Sequence, residues 1–288
     1  MGMYTKNGKH DSGIKSILFH VFATLLGLLM VYPLLWTLAS SFKDNSEIFV
    51  NSYSLLPKKW AIIENYSTGW KGISGISFGA FLWNSLIVAS VGTIGGVVCS
   101  MLAAYAFSRV KFAGQKFWFM CVMITLMILN QVMIVPQYII FKRLDLINKL
   151  QSLIIPWFFG SAFFIFLMVQ FIRGIPSELD EAATIDGCSK LGIFFRIILP
   201  LLTPAIATCT IFSFYWIWQD FFQPLIFMSR PKYFTVSLAL NMYLDPNSFS
   251  NYGALFAMSV ISLLPVIALF IAFQKYLVEG IATTGLKG

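Results

Sequence analysis

Six long apolar segments constrain this chain more than any other feature of its sequence. An α-helix rises about 1.5 Å per residue, so an apolar run of about 20 residues crosses a hydrocarbon layer of about 30 Å. Only 11% of the residues are charged and 58% are hydrophobic, whereas soluble domains carry about 25% charged residues. We therefore predict an all-α integral membrane protein with six transmembrane helices. The predicted spans are residues 17–38, 81–107, 117–135, 153–171, 201–227 and 252–276.

The first apolar segment has an alternative interpretation as a cleaved signal peptide, because Thr37, Leu38 and Ala39 fit a cleavage site. The segment is long for a signal peptide, however, and Pro33 lies inside it. We therefore expect it to remain in the protein as the first membrane helix.

The orientation in the membrane is predicted from the basic residues around the first span. Lys6, Lys9 and Lys15 precede it, and only Lys43 follows it closely. Because Lys and Arg concentrate on the cytoplasmic side of membrane helices, we predict that both termini are cytoplasmic. The predicted regions are a cytoplasmic tail at 1–16, a six-helix domain at 17–276, an outside return at 136–151 and a cytoplasmic tail at 277–288.

A polar passage between the fourth and fifth apolar segments is predicted to be ordered. Ser177 and Asp180, three residues apart, fit a capping box, although Asp replaces the preferred Glu or Gln. A helix that begins here is expected to end at Asp186. The reason is Gly187, which adopts the left-handed, helix-ending conformation at no steric cost. The chain is therefore predicted to turn at Gly187.

A second short helix is predicted after the turn, with Ser189 as its N-cap. Pro200 stops this helix or kinks it into the fifth span, since proline has no amide hydrogen. We call this helix-turn-helix, residues 177–200, the elbow. The i, i+3, i+4, i+7 spacing of apolar residues predicts the buried face of its second helix as Leu191, Phe194, Phe195 and Ile198.

The first helix of the elbow is acidic and carries two small residues. Its acidic residues are Glu178, Asp180, Glu181 and Asp186. Acidic side chains suit a helix N-terminus, and the small side chains of Ala182 and Ala183 allow another backbone to approach closely. We therefore predict that the elbow is a docking surface for another protein.

A series of residue types at fixed spacing runs through the elbow and just beyond it: Glu181, Ala182, Ala183, Gly187, Phe195, Leu199, Pro200 and Pro204. This series resembles the EAA loop of the membrane-spanning subunits of binding-protein-dependent ABC importers. Two positions depart from the family pattern. Cys188 stands where the family usually has Ala, and Thr203 stands where Lys is frequent.

The resemblance implies a type I, MetI-like permease fold with its core at 78–276 and its coupling loop at 172–200. It implies that the following residues couple the permease to an ATPase: Glu181, Ala182, Ala183, Asp186, Gly187 and Pro200. The implied partners are a homologous permease subunit, two cytoplasmic ABC ATPase subunits that hydrolyse ATP, and an extracellular or periplasmic solute-binding protein. The implied location is the cell (inner) membrane of a bacterium or an archaeon, in contact with lipid.

The fifth apolar segment carries the one clear intramembrane charge, Asp220, close to Trp216 and Gln219. A charge at this depth is costly and marks a cavity or a transport path, so all three residues are candidates for the translocation path. The alternative is that Asp220 lies at the outer interface and is simply hydrated there. The stretch 216–225 and the tail 274–288 resemble the carbohydrate, maltose-type branch of the family. That resemblance implies that the solute is a sugar or an oligosaccharide.

Several other functions have little support in the sequence. The formal net charge of +8 comes from scattered Lys and Arg without a basic stripe, so nucleic acid is not an expected partner. The spacing from Gly280 to Gly285 fits a phosphate-binding loop, but Leu286 occupies the Lys position. We therefore expect no enzyme activity, and the two histidines and four cysteines suggest no metal or cofactor. The alternatives left open are a permease for another kind of solute and an ion-coupled secondary transporter.

Overall fold

The structure is a computed structural model that describes residues 10–244 and 251–285, with side chains over 15–244 and 251–275. Its described residues form α-helices, three short 3-10 or π segments and two isolated β-bridges, and they contain no strand. The helices are α1 (His10–Ser40), α2 (Ile62–Lys71), α3 (Phe78–Arg109), α4 (Gln115–Thr125), α5 (Asn130–Arg143), α6 (Gln151–Ile154), α7 (Ala162–Arg173), α8 (Glu178–Ile185), α9 (Lys190–Ile193), α10 (Leu199–Leu201), α11 (Thr203–Gln219), α12 (Phe222–Phe227), α13 (Val236–Met242) and α14 (Tyr252–Gly285). The short segments are Ile155–Phe159, Phe194–Ile198 and Pro231–Tyr233.

Four described helical stretches are long and apolar enough to cross a membrane: Lys15–Ser40, Phe78–Arg109, Gln151–Arg173 and Tyr252–Lys275. Two further pairs of helices pass the same test together but are bent by 101° and by 75°. If each bent pair is one span, the described chain has six spans. The all-α membrane fold predicted from the apolar segments is thus confirmed, and two of its spans are broken.

The predicted tails lie partly outside the described residues, namely at 1–9 and at 286–288. Inside them, α1 begins at His10 and α14 continues to Gly285. The first and last helices therefore run beyond the apolar segments that predicted them.

The third span was predicted as one helix over 117–135, and this prediction is wrong. Helix α4 ends at Thr125, and α5 continues to Arg143, into the predicted outside return. The last amides of α4 switch to bonds three residues back, including Met127 to the Ile124 carbonyl at 3.0 Å. The Thr125 hydroxyl also donates to the Val122 carbonyl at 2.6 Å. This tightening satisfies the carbonyls within the last turn and ends the helix.

The chain forms two compact units. The first comprises Met1–Gly69 with Leu244–Ile261. In it Lys43 is fully buried, and its ammonium donates to the carbonyls of Asn51 at 3.1 Å and Ser54 at 2.5 Å. Because a buried ammonium is costly unless it is paired, these bonds fix the loop that follows α1.

The second unit comprises Trp70–Tyr243 with Ser262–Gly288. Helix α3 packs against α7 and α11 at its centre. A Cβ atom at Gly95 would lie 2.5 Å from the ring of Phe158, so a larger residue would displace that ring. Phe164, Met168 and Ile172 of α7 are fully buried in the same core, which continues to the elbow.

Candidate functional site: the elbow

The first helix of the elbow is α8, and it ends as the sequence predicts. Gly187 has φ of +80°, in the left-handed region. The Cys188 amide donates to the Ala183 carbonyl at 2.9 Å, and the Gly187 amide donates to the Thr184 carbonyl at 3.1 Å. These two bonds form a Schellman motif, which satisfies the last carbonyls of the helix. The predicted turn at Gly187 is confirmed.

The capping box predicted at the start of α8 is wrong. Ser177 has helical backbone angles and no side-chain capping bond, whereas a capping residue has an extended backbone. The carboxylate of Asp180 is directed to another helix and does not return to the Ser177 amide. The Ser177 carbonyl accepts from the amides of Asp180 at 3.0 Å and Glu181 at 3.1 Å, so it already forms part of the first turn.

The second helix of the elbow has the predicted cap but a different buried face. The Ser189 hydroxyl accepts from the Gly192 amide at 3.2 Å. Leu191 is 65% exposed and Phe195 is 58% exposed, whereas Ile193, Phe194 and Ile198 are buried. The reason is the π segment Phe194–Ile198, whose wider turn abandons the 3.6-residue spacing on which the prediction rested.

Pro200 does not end this helix, because it lies inside the following short helix α10. The 75° bend comes just beyond α10, before α11 begins at Thr203. The Thr203 hydroxyl donates to the Pro200 carbonyl at 2.7 Å. Pro200 was predicted to stop or kink the helix, and the structure places the kink immediately after it.

Helix α3 holds the first helix of the elbow through Arg109. The Arg109 Nε lies 3.2 Å from a carboxylate oxygen of Asp180. An Nη of the same guanidinium donates to the carbonyls of Ile172 at 3.0 Å and Ile175 at 2.5 Å. Only 13% of the Arg109 side chain and 18% of the Asp180 side chain are exposed. One guanidinium therefore joins the end of α3, the end of α7 and the start of α8.

Helix α3 also holds the second helix of the elbow, through Tyr105. Its hydroxyl donates to the Lys190 carbonyl at 2.8 Å, and its ring lies 5.0 Å from the ring of Phe194. Sequence reasoning missed both Arg109 and Tyr105. Little in the sequence indicated their role. Arg109 lies at the end of a long apolar segment, where a basic residue is common.

The outer surface of the elbow combines charge with exposed apolar side chains. Glu181, Ala182 and Asp186 are exposed, and Ala183 is buried in the core of its own chain. Of the two alanines, only Ala182 is therefore available to another backbone. The exposed large apolar residues nearby are Leu179, Ile185 and Leu191. Ile185 is 87% exposed, the most exposed of the three.

Asp220 lies at a break in the fifth predicted span, 201–227. Helix α11 ends at Gln219, and Asp220 has an extended backbone with ψ of 123°. Pro224, four residues on, has no amide for the Asp220 carbonyl, and its ring would clash with that carbonyl in a helix. The Ser237 hydroxyl donates to the Asp220 carbonyl instead, at 2.5 Å.

The three residues predicted to line a path differ in their surroundings. Gln219 is exposed, and Asp220 is half-buried. Trp216 stacks on Phe164 of α7 with ring centroids 5.3 Å apart and an angle of 11°, in the core of the second unit. Among the described residues no three His, Cys, Asp or Glu side chains group together to hold a metal.

Comparison with known proteins agrees with this architecture. Residues 96–283 match the family model of the binding-protein-dependent transport system inner membrane component. The probable ABC transporter permease protein YurM of Bacillus subtilis is 37% identical over 93% of this chain and 87% of its own length. The arabinooligosaccharides transport system permease protein AraQ of Bacillus subtilis is 32% identical over 93% of this chain and 94% of its own length.

A third relative is the trehalose/maltose transport system permease protein MalG of Thermococcus litoralis, 30% identical over 96% of this chain and 98% of its own length. A bacterial ABC transporter involved in the import of the acidic polysaccharide alginate has the same fold. Its chain is 22% identical, with a TM-score of 0.73 over 96% of this chain and all of that one. The fold and the elbow thus define a membrane transport protein. The chain belongs to the binding-protein-dependent transport system inner membrane component family, and it is an ABC importer permease.

Proposed function

We propose that this chain is the membrane-spanning permease subunit of an importer for a sugar or an oligosaccharide. The observation that carries this proposal is the set of relatives that match almost the whole chain and are named for oligosaccharide or disaccharide transport. Such a similarity extends through the spans as well as the elbow.

The proposed assembly contains a second, homologous permease subunit, two cytoplasmic ABC ATPase subunits and an extracellular or periplasmic solute-binding protein. ATP hydrolysis lies in the ATPase subunits, and this chain transmits movement without being an enzyme. The complex lies in the cell membrane of a bacterium or an archaeon, with both termini of this chain in the cytoplasm. The exposed Ile185 and Glu181 of the elbow support a partner that covers them.

The proposed mechanism is alternating access, in which the elbow is the coupling element. ATP closes the ATPase dimer, and a cleft on one ATPase subunit carries α8 with it. Nucleotide at the dimer interface provides the differential contact, because a conformational shift needs a ligand that favours one state. The attachments of Arg109 and Tyr105 support transmission of this movement to α3, in addition to α7 and α11, which adjoin the elbow in sequence.

The test is ATP-dependent uptake by the complete complex in proteoliposomes with its binding protein. We expect uptake of at least one labelled oligosaccharide, such as maltotriose or arabinotriose, and none with a hydrolysis-deficient ATPase. Uptake by this chain alone, driven by a proton or sodium gradient, would identify a secondary transporter instead. ATP-dependent uptake only of a solute that is not a carbohydrate would support the importer function but contradict the proposed sugar specificity.

A further inference from the structure

Two glutamine side chains form a hydrogen bond just beyond the break in the fifth span. The Gln223 Nε2 donates to the Gln137 Oε1 at 3.3 Å, which joins α12 to α5. Both residues are half-buried. Asp220 lies three residues before Gln223, and its carboxylate accepts from the backbone amide of Gln223 at 3.4 Å. Gln223 therefore connects the Asp220 carboxylate and the Gln137 carboxamide where α12 packs against α5.

The position of this group is far from the elbow. Helix α11 has 17 residues, so Asp220 lies roughly 25 Å along the helix from Thr203. This is most of the thickness of a hydrocarbon layer, which is about 30 Å. With the elbow on the cytoplasmic side, as in the proposed assembly, the group lies in the half of the membrane from which a solute enters an importer.

Most of the hydrogen-bonding capacity of these groups is unused within the described chain. Each glutamine amide offers two donors and an acceptor, and a carboxylate accepts several bonds. Apart from the bond between them, neither the Gln137 nor the Gln223 side chain has another protein partner in the described ranges. The hydroxyl of Tyr138, next to Gln137, has no protein partner there either. Because none of these atoms is among the sealed unsatisfied groups, they are open to water or a ligand.

Aromatic residues adjoin the polar residues in sequence. Phe222 is 56% exposed and lies in sequence between Asp220 and Gln223. Tyr138 follows Gln137 on α5, and its ring packs on Phe227 of α12 with ring centroids 6.2 Å apart. A few convergent polar groups with aromatic neighbours are typical of small-molecule sites. Amides and carboxylates match the hydroxyl groups of sugars, and ring faces match their C–H surfaces.

We propose that Gln137, Asp220 and Gln223 bind the solute during transport, and that the solute is an uncharged, polyhydroxylated molecule. The rings of Tyr138 and Phe222 flank this solute site. The inference rests on the proposed function and adds the contact residues and the charge class. No Lys or Arg forms an ion pair with Asp220 in the described chain, so an acidic sugar would meet an uncompensated like charge.

The competing structural explanation is that the glutamine pair only holds two helices together, as polar side chains do in membranes. The double substitution Gln137→Leu with Gln223→Leu separates the two explanations, since two leucines retain packing and remove every hydrogen bond. Gln131→Leu is the matched control, because Gln131 lies on α5 as well, is exposed and has no side-chain partner among the described residues.

The measurement is uptake of labelled maltotriose and arabinotriose by the complete complex in proteoliposomes, with ATPase activity stimulated by the loaded binding protein measured in parallel. We expect the double variant to lose uptake at least tenfold while its stimulated ATPase activity stays within twofold and Gln131→Leu resembles the wild type. Wild-type uptake by the double variant would overturn the site. Absence of sugar uptake by the wild-type complex would instead overturn the proposed function.

A second variant tests the solute site if the double leucine substitution prevents assembly of the complex. Gln223→Cys, in a background without the four native cysteines, is treated with an impermeant thiol reagent from outside. We expect labelling in the nucleotide-trapped complex, and at least threefold slower labelling when maltotriose-loaded binding protein is present. No labelling in any state, or labelling that the loaded binding protein does not slow, would overturn the site.

Discussion

At the scale of single residues, Gly187 shows how a backbone angle controls the docking surface. Its φ of +80° costs a glycine nothing, and a Cβ at this position would meet no atom within 4 Å. Any penalty of substitution therefore comes from the backbone alone. The position needs a residue that tolerates the left-handed region, whatever its size.

We predict that Gly187→Val impairs coupling and Gly187→Asn largely preserves it. A β-branched residue in the left-handed region costs about 1–3 kcal/mol, whereas asparagine adopts this region more readily. Co-purification of the ATPase and transport by the reconstituted complex measure the effect. Equal activity of the valine and asparagine variants would mean that the turn does not depend on this angle.

Glu181 is exposed and forms no ion pair in the described chain. If the elbow docks into an ATPase cleft, Glu181→Lys reverses the charge offered there. A broken charge pair in a desolvated interface costs about 2–5 kcal/mol, so we expect loss of ATPase from the purified complex with normal membrane insertion. Glu181→Gln should lie between the variant and the wild type. Full solute-stimulated ATPase activity in Glu181→Lys would contradict the coupling role.

At the scale of helices, the elbow is attached to the other helices of its own chain and also presents an exposed surface. Arg109 joins three helix ends with one side chain, and Asp180 belongs at once to the acidic start of α8 and to this junction. The acidic residues predicted for the first helix of the elbow therefore face in different directions. Asp180 faces inward to Arg109, while Glu181 faces outward.

We predict that Arg109→Met uncouples ATP hydrolysis from uptake more strongly than Asp180→Asn does. The methionine leaves the Asp180 carboxylate without its ion-pair partner and removes one donor from each of two carbonyls, whereas the asparagine leaves the carbonyl bonds intact. The double variant should cost less than the sum of the single variants, by about 0.5–3 kcal/mol. Thermal unfolding and the ratio of ATP hydrolysed to solute transported measure these effects.

The control for this cycle is Lys111→Met, because Lys111 is exposed and forms no ion pair in the described chain. We expect it to leave both measurements unchanged. Strict additivity of Arg109→Met and Asp180→Asn would show that the two side chains act independently.

At the scale of the whole molecule, the sequence predicted the spans better than their breaks. Apolar length alone located the helices, because a membrane requires that length. The break at Asp220 had a visible signal in Pro224, which denies an amide to the carbonyl four residues earlier. The break after Thr125 had none, since residues 126–129 contain neither glycine nor proline.

Only part of the elbow was predictable from the sequence. Its turns depend on neighbouring residues, whereas its contacts with α3 depend on residues far away in the chain. Gly187 and Ser189 act on their immediate neighbours, so residue type was sufficient. Arg109 and Tyr105 reach the elbow only through the packing of α3, which no spacing within the elbow encodes. The same limit applies to Gln137 and Gln223, which meet only because α12 packs against α5.

The π segment Phe194–Ile198 also sets how far the chain after it is rotated about the helix axis relative to α9. A π turn holds about one residue more than an α turn. Deleting one residue there would let the chain continue as a regular α-helix, but everything beyond would rotate by about 100°. The extra residue thus acts as a spacer. It fixes which side of α11 faces α3 once Tyr105 has fixed the orientation of α9, so the length of this short segment is constrained even where its exposed side chains are not.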